Sequence, residues 1–403
     1  MTRQPEGMQQ TVLVVITTGR PSYRQAAESL RLNIERWQPA VSRVDLLINF
    51  DITYQQTCET AFKEPPPPPL APGGLVHFAG PDFIRTADWL EASERSALEF
   101  ISPSTGYGQK KNACLLFAVR RSYDVVLFWD DDEYALHVER GNDGVRWTSS
   151  DVIGAHVQGR GDVTFGFWTG YVSPIPDSFF TEVDRTTRTI LTDALGPITD
   201  VVEESTFFER AATYCIASAR DRPAVEICET RGGKWISGGN LGLRRAAVIA
   251  GRLPAFYTPT DSRGDDSVFS TALGGAVVMQ VPAGIFHDAF GALIDADLSR
   301  LGGLPIQPQV PGRTAERFAR VLRGWIAYAP VLTALRGIDD VAGLIGESAD
   351  RLSACDAPLT TYLGGAWRWL PPSALLRAYL AKVGPELDSF QRTQHVWQQL
   401  CGV

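Results

Sequence analysis

An acidic run at the end of an apolar segment is the part of this sequence best suited to chemistry. Residues 125–134 read VVLFWDDDEY and contain Asp130, Asp131 and Asp132. A buried strand that ends in carboxylates concentrates negative charge at the edge of a sheet, which is costly without a cation. Since side chains alternate along a strand, Asp130 and Asp132 share one side. The run predicts a site for Mg²⁺ or Mn²⁺ with a phosphate bound to it, and the alternative is a solvated acidic turn.

Two further stretches carry weaker signals. Gly238 and Gly239 would let the backbone approach a ligand closely, and Asn240 offers both a donor and an acceptor. Asp265 and Asp266 precede an apolar helical run, where carboxylates are favoured by the helix dipole. Asp265 and Asp266 could therefore be simple caps, or Asp266 could be a general base that deprotonates an acceptor hydroxyl.

A histidine and a tryptophan complete the candidate set. His287 follows a strand-like segment, and a neutral imidazole is a plausible additional ligand for Mn²⁺ beside the aspartates. Trp168, in the glycine-bearing segment FWTGY, could stack on an acceptor ring, although packing in the core is the simpler role.

Composition excludes several classes of function. The 403 residues carry a net charge of -8, which argues against binding a nucleic-acid polymer. The six cysteines form no CxxC pair, as expected for reduced thiols in the cytoplasm. The first ten residues lack the pattern of a signal peptide, and no apolar run approaches the length of a membrane span. We therefore expect a cytoplasmic protein.

The elements that must position these residues alternate between strand and helix in the first third of the chain. A strand at 11–17, a helix at 23–37 and a strand at 44–51 form a parallel βαβ unit. Residues 64–74 (EPPPPPLAPGG) should form an extended surface loop before a short strand at 74–78. A helix at about 111–121 leads into the acidic strand.

The rest of the chain is predicted to contain more helix. Strands are expected at 163–172 and 276–281, and helices at 181–195, at 203–219 and beyond about 311. In the helical tail, Pro330 should interrupt or end one helix, and Ser373 is a candidate cap for another.

The order of these signals resembles the GT-A fold of nucleotide-sugar-dependent glycosyltransferases over roughly residues 10–295. That fold has four recurring landmarks, a metal-binding DxD, a glycine loop, an acidic xED motif and a C-terminal histidine. Here they match Asp130-Asp131-Asp132, Gly238-Gly239-Asn240, Gly264-Asp265-Asp266 and His287. The resemblance implies an α/β fold, Rossmann-like, with a mixed, mostly parallel sheet flanked by helices and a C-terminal helical extension.

The resemblance also implies a role for each candidate. Asp132 and His287 would hold a divalent cation, Mn²⁺ or Mg²⁺, and Asp266 would be the catalytic base of an inverting enzyme. The glycine loop, with Asp265 and Trp168, would lie against the donor sugar or the acceptor. The nucleoside diphosphate would be bound by residues near the first, second and acidic strands, namely Thr17, Thr18, Arg20, Asp51, Lys111, Asp130 and Asp131.

The implied division is a nucleotide-binding half (1–150), an acceptor-binding and catalytic half (151–310) and a helical extension (311–403). The extension could pack on the catalytic domain, close the acceptor cleft or form a homodimer contact. Three other functions stay open, a sugar-phosphate nucleotidylyltransferase, an aspartyl-phosphate type phosphatase and a non-catalytic nucleotide-sugar-binding module. The sequence does not identify the base, the sugar or the acceptor, although a soluble acceptor is favoured.

Overall fold

A mixed nine-stranded sheet is the centre of the molecule, which we describe from a computed structural model. The model describes residues 10–104, 108–142, 144–171, 173–209, 222–304 and 314–402. The strands that form this sheet or the separate hairpin are β1 (Thr11–Thr18), β2 (Arg43–Phe50), β3 (Val76–Ala79), β4 (Val125–Asp130), β5 (Glu133–Tyr134), β6 (His137–Gly141), β7 (Gly144–Thr148), β8 (Val163–Gly170), β9 (Val225–Glu226), β10 (Leu241–Arg244) and β11 (Val278–His287).

The strand order along the sheet is β3-β2-β1-β4-β10-β8-β11-β5, with β9 pairing with β11. Strands β3, β2, β1 and β4 are parallel, whereas β10 runs antiparallel to both β4 and β8. Strands β6 and β7 form the separate antiparallel hairpin. The observed α/β architecture agrees with the expected mixed, mostly parallel sheet.

Helices cover the sheet and continue into the C-terminal extension. They are α1 (Tyr23–Trp37), α2 (Glu59–Lys63), α3 (Ala92–Ile101), α4 (Lys110–Arg120), α5 (Val152–Gln158), α6 (Phe179–Glu182), α7 (Arg185–Leu195), α8 (Arg245–Ile249), α9 (Asp265–Ala272), α10 (Thr314–Leu335), α11 (Val341–Ser353), α12 (Asp356–Leu363), α13 (Pro372–Leu380) and α14 (Val383–Cys401).

Apolar side chains of the strands alternate between two cores on the faces of the sheet. Leu13 and Leu47 face the core formed with α3, α4 and α14, whereas Val14 and Leu46 face the core formed with α1 and α5. The nearly continuous apolar sequence of β1 follows from this burial on both faces. The parallel strands end at one edge, where residues from distant parts of the sequence meet.

A further apolar core joins the extension to the middle of the chain. Helices α6 and α7 pack with α10, α11, α12 and α13 around side chains such as Phe179, Leu191 and Phe318. Helix α14 instead returns to the sheet, where Trp397 is buried. The predicted boundary near residue 311 therefore divides helices that share one core.

Four local predictions differ from the structure. The single helix expected at 181–195 is divided into α6 and α7, with Val183 and Asp184 outside both. Residues 203–209 form turns instead of helix, and residues 210–219 lie outside the described part of the chain, as does residue 172 of the predicted strand. Helix α10 continues through Pro330 to Leu335, because the apolar face continues on both sides of the proline. Ser373 lies inside α13 instead of capping it, and its hydroxyl donates to Asp356.

The sequence predicted reduced cysteines and no membrane span. Five cysteines are free thiols in the described residues, and Cys215 lies outside them. Within the same described residues, no helix combines the length and the apolar character that crossing a membrane requires.

Candidate active site

The two predicted metal ligands lie side by side at the edge of the sheet. Asp132 comes two residues after the end of β4, and His287 is the last residue of β11. Strand β5 begins at Glu133 and pairs with β11, with Glu133 opposite His287. This pairing places Nε2 of His287 3.8 Å from Oδ1 of Asp132. Side chains 155 residues apart in the sequence could therefore share one ion.

The tautomer of His287 is set by the backbone. Its Nδ1 lies 2.8 Å from the carbonyl oxygen of Tyr171, which can only accept, so Nδ1 carries the hydrogen. Burial lowers the pKa of His287, although the Asp132 carboxylate acts in the opposite direction. The neutral ring then presents the lone pair of Nε2 towards Asp132, which is the arrangement of a histidine metal ligand held by its outer hydrogen bond.

The side chains present fit a cation that also binds substrate oxygens. Within the described residues, no group of three His, Cys, Asp or Glu side chains surrounds one point. Asp132 and His287 would therefore be the two protein ligands. Mg²⁺ and Mn²⁺ commonly fill their remaining positions with water and with phosphate oxygens. The second carboxylate oxygen of Asp132 accepts a hydrogen bond of 3.0 Å from Nη2 of Arg20.

Asp131 has other partners than His287. Residues 131 and 132 lie in the turn between β4 and β5, so the strand alternation expected from the sequence does not extend to them. Oδ2 of Asp131 accepts hydrogen bonds of 3.0 Å from Nε of Arg20 and of 2.7 Å from the hydroxyl of Thr18. Arg20, Thr18 and Asp131 were all predicted to bind the donor, but in the structure they bind one another. We infer that they hold the loop after β1 against the acidic run.

A second charged group lies beside Asp132 and His287 and consists of Asp130, Lys111 and Asp265. Nζ of Lys111 donates to the carbonyl oxygen of Gly238 and to Oδ2 of Asp265, each at 3.0 Å. Burial raises the pKa of Asp130 to about 7, while Lys111 acts in the opposite direction. Lys111, predicted to contact the nucleotide, thus connects the glycine loop to the start of α9.

Asp266, the candidate base, sits in the first turn of α9. Burial, followed by the nearby carboxylates of Asp265 and Asp200, raises its pKa to about 6. A carboxylate in that range is a stronger base than an exposed aspartate. The hydroxyl of Tyr328 on α10 donates to Asp200 at 2.9 Å, so the extension helps to form the surroundings of Asp266.

The glycine loop packs closely against Glu133, the residue that follows the three aspartates. A Cβ added to Gly239 would lie 2.3 Å from Oε2 of Glu133, which leaves no space for a side chain. Asn240 is fully buried, and its amide donates to the carbonyl of Ala283 at 3.1 Å and contacts His156 at 2.9 Å. The structure therefore directs Asn240 into the core, where it anchors the loop.

Trp168 lies beneath this loop. Its side chain hydrogen-bonds Glu133, and its ring meets Trp235 edge-on with the centroids 5.3 Å apart. Both contacts favour the packing role over the stacking role, and the 40% exposed Trp235 presents more surface to a ligand.

A cavity of about 470 Å³ opens beside the ends of β2 and β3. Asn49 and Lys110 line it. Both polar atoms of the Asn49 amide are buried and have no partner in the described residues. Asp51, two residues further on, accepts from the backbone and the hydroxyl of Thr53 at 2.8 and 2.7 Å. Thr17 also has a buried hydroxyl without a described partner.

Four residues near the candidate site were not among the predicted site residues, namely Asn49, Glu133, Tyr328 and Arg317, whose Nη2 lies 3.5 Å from the carbonyl oxygen of Tyr171. Only Asn49 carried a usable signal, because it interrupts the apolar run of β2. Arg317 and Tyr328 lie on the amphipathic helix α10, where the sequence gives no indication of which residues face the site.

Comparisons with known proteins give weak likenesses. No family model and no curated protein matches the chain. S. aureus TarS 1–349 is 13% identical with a TM-score of 0.34, covering 97% of this chain and 92% of that chain. Glucosyl-3-phosphoglycerate synthase from Mycobacterium tuberculosis, in complex with Mn²⁺, uridine diphosphate and glucosyl-3-phosphoglycerate, is 14% identical with a TM-score of 0.31, covering 84% and 88%. The functional proposal therefore depends on this chain's own residues.

Proposed function

We propose that this protein is a metal-dependent, inverting glycosyltransferase of the GT-A type. It would move a sugar from a nucleoside diphosphate sugar to an acceptor hydroxyl. The observation that carries the proposal is the approach of Nε2 of His287 to Oδ1 of Asp132, with Nδ1 of the ring occupied by a backbone carbonyl. Such a pair suits a cation that keeps positions open for diphosphate oxygens.

Each charged group has a part in the proposed reaction. Asp132 and His287 would hold the cation, which when bound supplies positive charge to the leaving diphosphate. Asp266 would accept the proton of the acceptor hydroxyl as that oxygen attacks the anomeric carbon. The bond between the anomeric carbon and the diphosphate oxygen would break, and its electron pair would leave with the diphosphate. This single displacement inverts the anomeric configuration.

The nucleoside would lie at the ends of β1 and β2. Asp51 would grip the ribose, and the unpartnered amide of Asn49 would face the base from the cavity wall. An amide offers one donor and one acceptor side by side, which complements the edge of a base. The Arg20–Asp131 pair and the Lys111–Asp265 pair would fix the loops around the donor.

Thermal melting with nucleoside diphosphates tests this proposal. UDP, GDP and TDP are added separately, each with and without Mn²⁺, and the shift in Tm is measured. A transferase of the proposed type should be stabilised by one diphosphate and only when the metal is present. Stabilisation by a nucleoside triphosphate instead would favour a nucleotidylyltransferase.

A screen of nucleotide-sugar hydrolysis then identifies the donor sugar. Nuclear magnetic resonance of the sugar transferred to an acceptor gives the anomeric configuration of the product. Retention of the donor's configuration would contradict the proposed role of Asp266.

A further inference from the structure

Helix α10 brings an arginine against the proposed metal site. Nη2 of Arg317 lies 3.5 Å from the carbonyl oxygen of Tyr171, the same oxygen that receives the Nδ1 hydrogen of His287. The guanidinium also lies 5.3 Å from the ring centroid of Phe290. Its Nη1 is buried and has no hydrogen-bond partner in the described residues. One charged donor of Arg317 therefore has no described partner beside the proposed metal ligands.

Two more arginines lie next to Arg317. The first is Arg320, three residues after Arg317 on α10. Gly324 lies seven residues after Arg317, so Arg317, Arg320 and Gly324 share one face of the helix. Arg263, in the loop before α9, packs on that face, since a Cβ added to Gly324 would lie 3.4 Å from Cβ of Arg263. Burial lowers the pKa of Arg317, Asp132 opposes this, and Arg263 and Arg320 lower it further. The three cations are thus within electrostatic reach of one another.

These arginines form a positive cluster without a salt bridge in the described residues. Within the described ranges, none of the three has a carboxylate oxygen within 4.0 Å. The chain as a whole carries a net charge of -8, so the local positive charge of these arginines is opposite in sign to the net charge of the protein. Like charges held together are costly unless an anion joins them, and the planar guanidinium matches phosphate oxygens in geometry.

The cluster lies beside the proposed base. Arg263 is three residues before Asp266, and a Cβ on the intervening Gly264 would lie 2.5 Å from the ring of Tyr328. The loop and α10 are therefore in close contact between the proposed base and the proposed metal ligands. The donor diphosphate already has a cation assigned to it, so the arginines are available for a second anion.

We propose that the acceptor carries a phosphate group, which binds Arg263, Arg317 and Arg320 while the acceptor hydroxyl faces Asp266. This inference rests on the proposed glycosyltransferase function and names its acceptor class. The phosphate takes no part in bond making. The acceptor oxygen bonds to the anomeric carbon and gives its proton to Asp266, while the bond from that carbon to the diphosphate oxygen breaks. Its role is to orient the hydroxyl towards Asp266 and to add binding energy.

Binding of glycerol 1-phosphate and of glycerol tests the inference. Titration calorimetry is performed on the protein saturated with Mn²⁺ and with the diphosphate that stabilises it. We expect glycerol 1-phosphate to bind at least about tenfold more tightly than glycerol, since its phosphate accepts charge-assisted hydrogen bonds from the arginines. The double variant R263Q/R320Q, which changes two exposed side chains, should lose at least about tenfold of that affinity. Inorganic phosphate should compete with glycerol 1-phosphate.

The control variant is R351Q, which changes an exposed arginine on α11 and should bind as the wild type does. Equal affinity for glycerol and glycerol 1-phosphate would overturn the inference, as would full affinity in R263Q/R320Q. The proposed function fails separately, if no nucleoside diphosphate binds with Mn²⁺ in the first step. The two failures are therefore distinguishable in one series of titrations.

Discussion

At the residue scale, the proposed chemistry depends on which polar atoms already form hydrogen bonds within the protein and which do not. His287 and Asp132 each use one polar atom within the protein and direct another at the same space. Asp131 differs, because both of its oxygens are bound to Arg20. Adjacent carboxylates of one acidic run therefore have different partners, because both lie in the turn between β4 and β5 and not in a regular strand.

The pH dependence of transfer should report the proposed base. Burial and the neighbouring carboxylates raise the pKa of Asp266 to about 6, and the base must be deprotonated to act. We therefore expect the rate of transfer to fall as the pH decreases through about 6 and to be constant well above it. The measurement is the pH profile of kcat with saturating donor.

The variant D266N provides the comparison for that profile. It should lose at least about a hundredfold in transfer while the nucleoside diphosphate still binds with Mn²⁺. A D266N protein that transfers sugar with the same low-pH decline would show that another group titrates. Loss of diphosphate binding would mean that Asp266 belongs to the donor site.

Replacing Asn49 should have opposite effects on folding and on binding. Its amide is buried without a described partner, so N49L should raise the free energy of unfolding by about 1 kcal/mol. The same change should weaken nucleoside diphosphate binding by about tenfold, because the base loses a hydrogen-bonding partner. Denaturant unfolding and calorimetry measure the two effects.

Asn33 offers a matched control for this experiment. Its amide donates to the carbonyls of Ala135 and Ser150 at 3.0 and 2.8 Å. N33L should therefore lower the free energy of unfolding by about 2 kcal/mol, because partner groups are left unsatisfied. Unchanged diphosphate affinity in N49L would remove the cavity from the proposed nucleoside site.

The sequence predicted the residues of this site better than their contacts. The carboxylates and His287 could be found because their types and order are distinctive, and the fold brings Asp132 and His287 together. The inward orientation of Asn240 and the pairing of Lys111 with Asp265 depend on neighbours that are far away in the sequence. Such contacts arise only from tertiary packing.

At the scale of elements, the glycine loop shows how backbone approach fixes a residue type. Glu133 on β5 occupies the space next to Gly239, so G239A requires the buried carboxylate to move. We expect G239A to lower the free energy of unfolding by about 1–3 kcal/mol, as overpacking does. Thermal or denaturant unfolding provides the measurement.

The neighbouring glycine is the control for the loop. A Cβ on Gly238 would lie 3.5 Å from Oδ2 of Asp266, an ordinary contact distance, so G238A should change stability by less than about 0.5 kcal/mol. If the two variants were equally stable, the close packing of Gly239 on Glu133 would be contradicted.

Element boundaries were predictable where local signals and packing agreed. Helix α1 spans residues 23–37 as predicted, since its apolar spacing and its burial coincide. Helix α10 passes through Pro330 because Ala329, Val331 and Leu332 are all buried. Burying each large apolar side chain contributes about 1.5–3 kcal/mol, which offsets the cost of about 3 kcal/mol for an interior proline.

At the scale of the whole molecule, the C-terminal helices belong to two cores. Helices α10 to α13 pack with α6 and α7, and α14 packs against α3. Helix α10 also supplies Tyr328 and Arg317 to the surroundings of the candidate site. The extension is therefore part of the surroundings of the candidate site, which no local sequence pattern indicated.

Trp397 tests whether α14 is integral to the main fold. It is 2% exposed, and its indole donates to the carbonyl of Leu253 at 3.1 Å. W397A should lower the free energy of unfolding by about 3–5 kcal/mol, whereas Q398A at the exposed neighbouring position should change it by less than about 0.5 kcal/mol. A small effect of W397A in denaturant unfolding would mean that α14 is only loosely attached.

The most direct test of the proposed function is metal-dependent diphosphate binding by D132N. The shift in Tm caused by the preferred nucleoside diphosphate with Mn²⁺ is compared between wild type, D132N and the exposed control D339N. We predict a shift in the wild type and in D339N that is lost in D132N, because the amide removes a charged ligand of the cation. A full Mn²⁺-dependent shift in D132N would contradict the assignment of the metal site to Asp132 and His287.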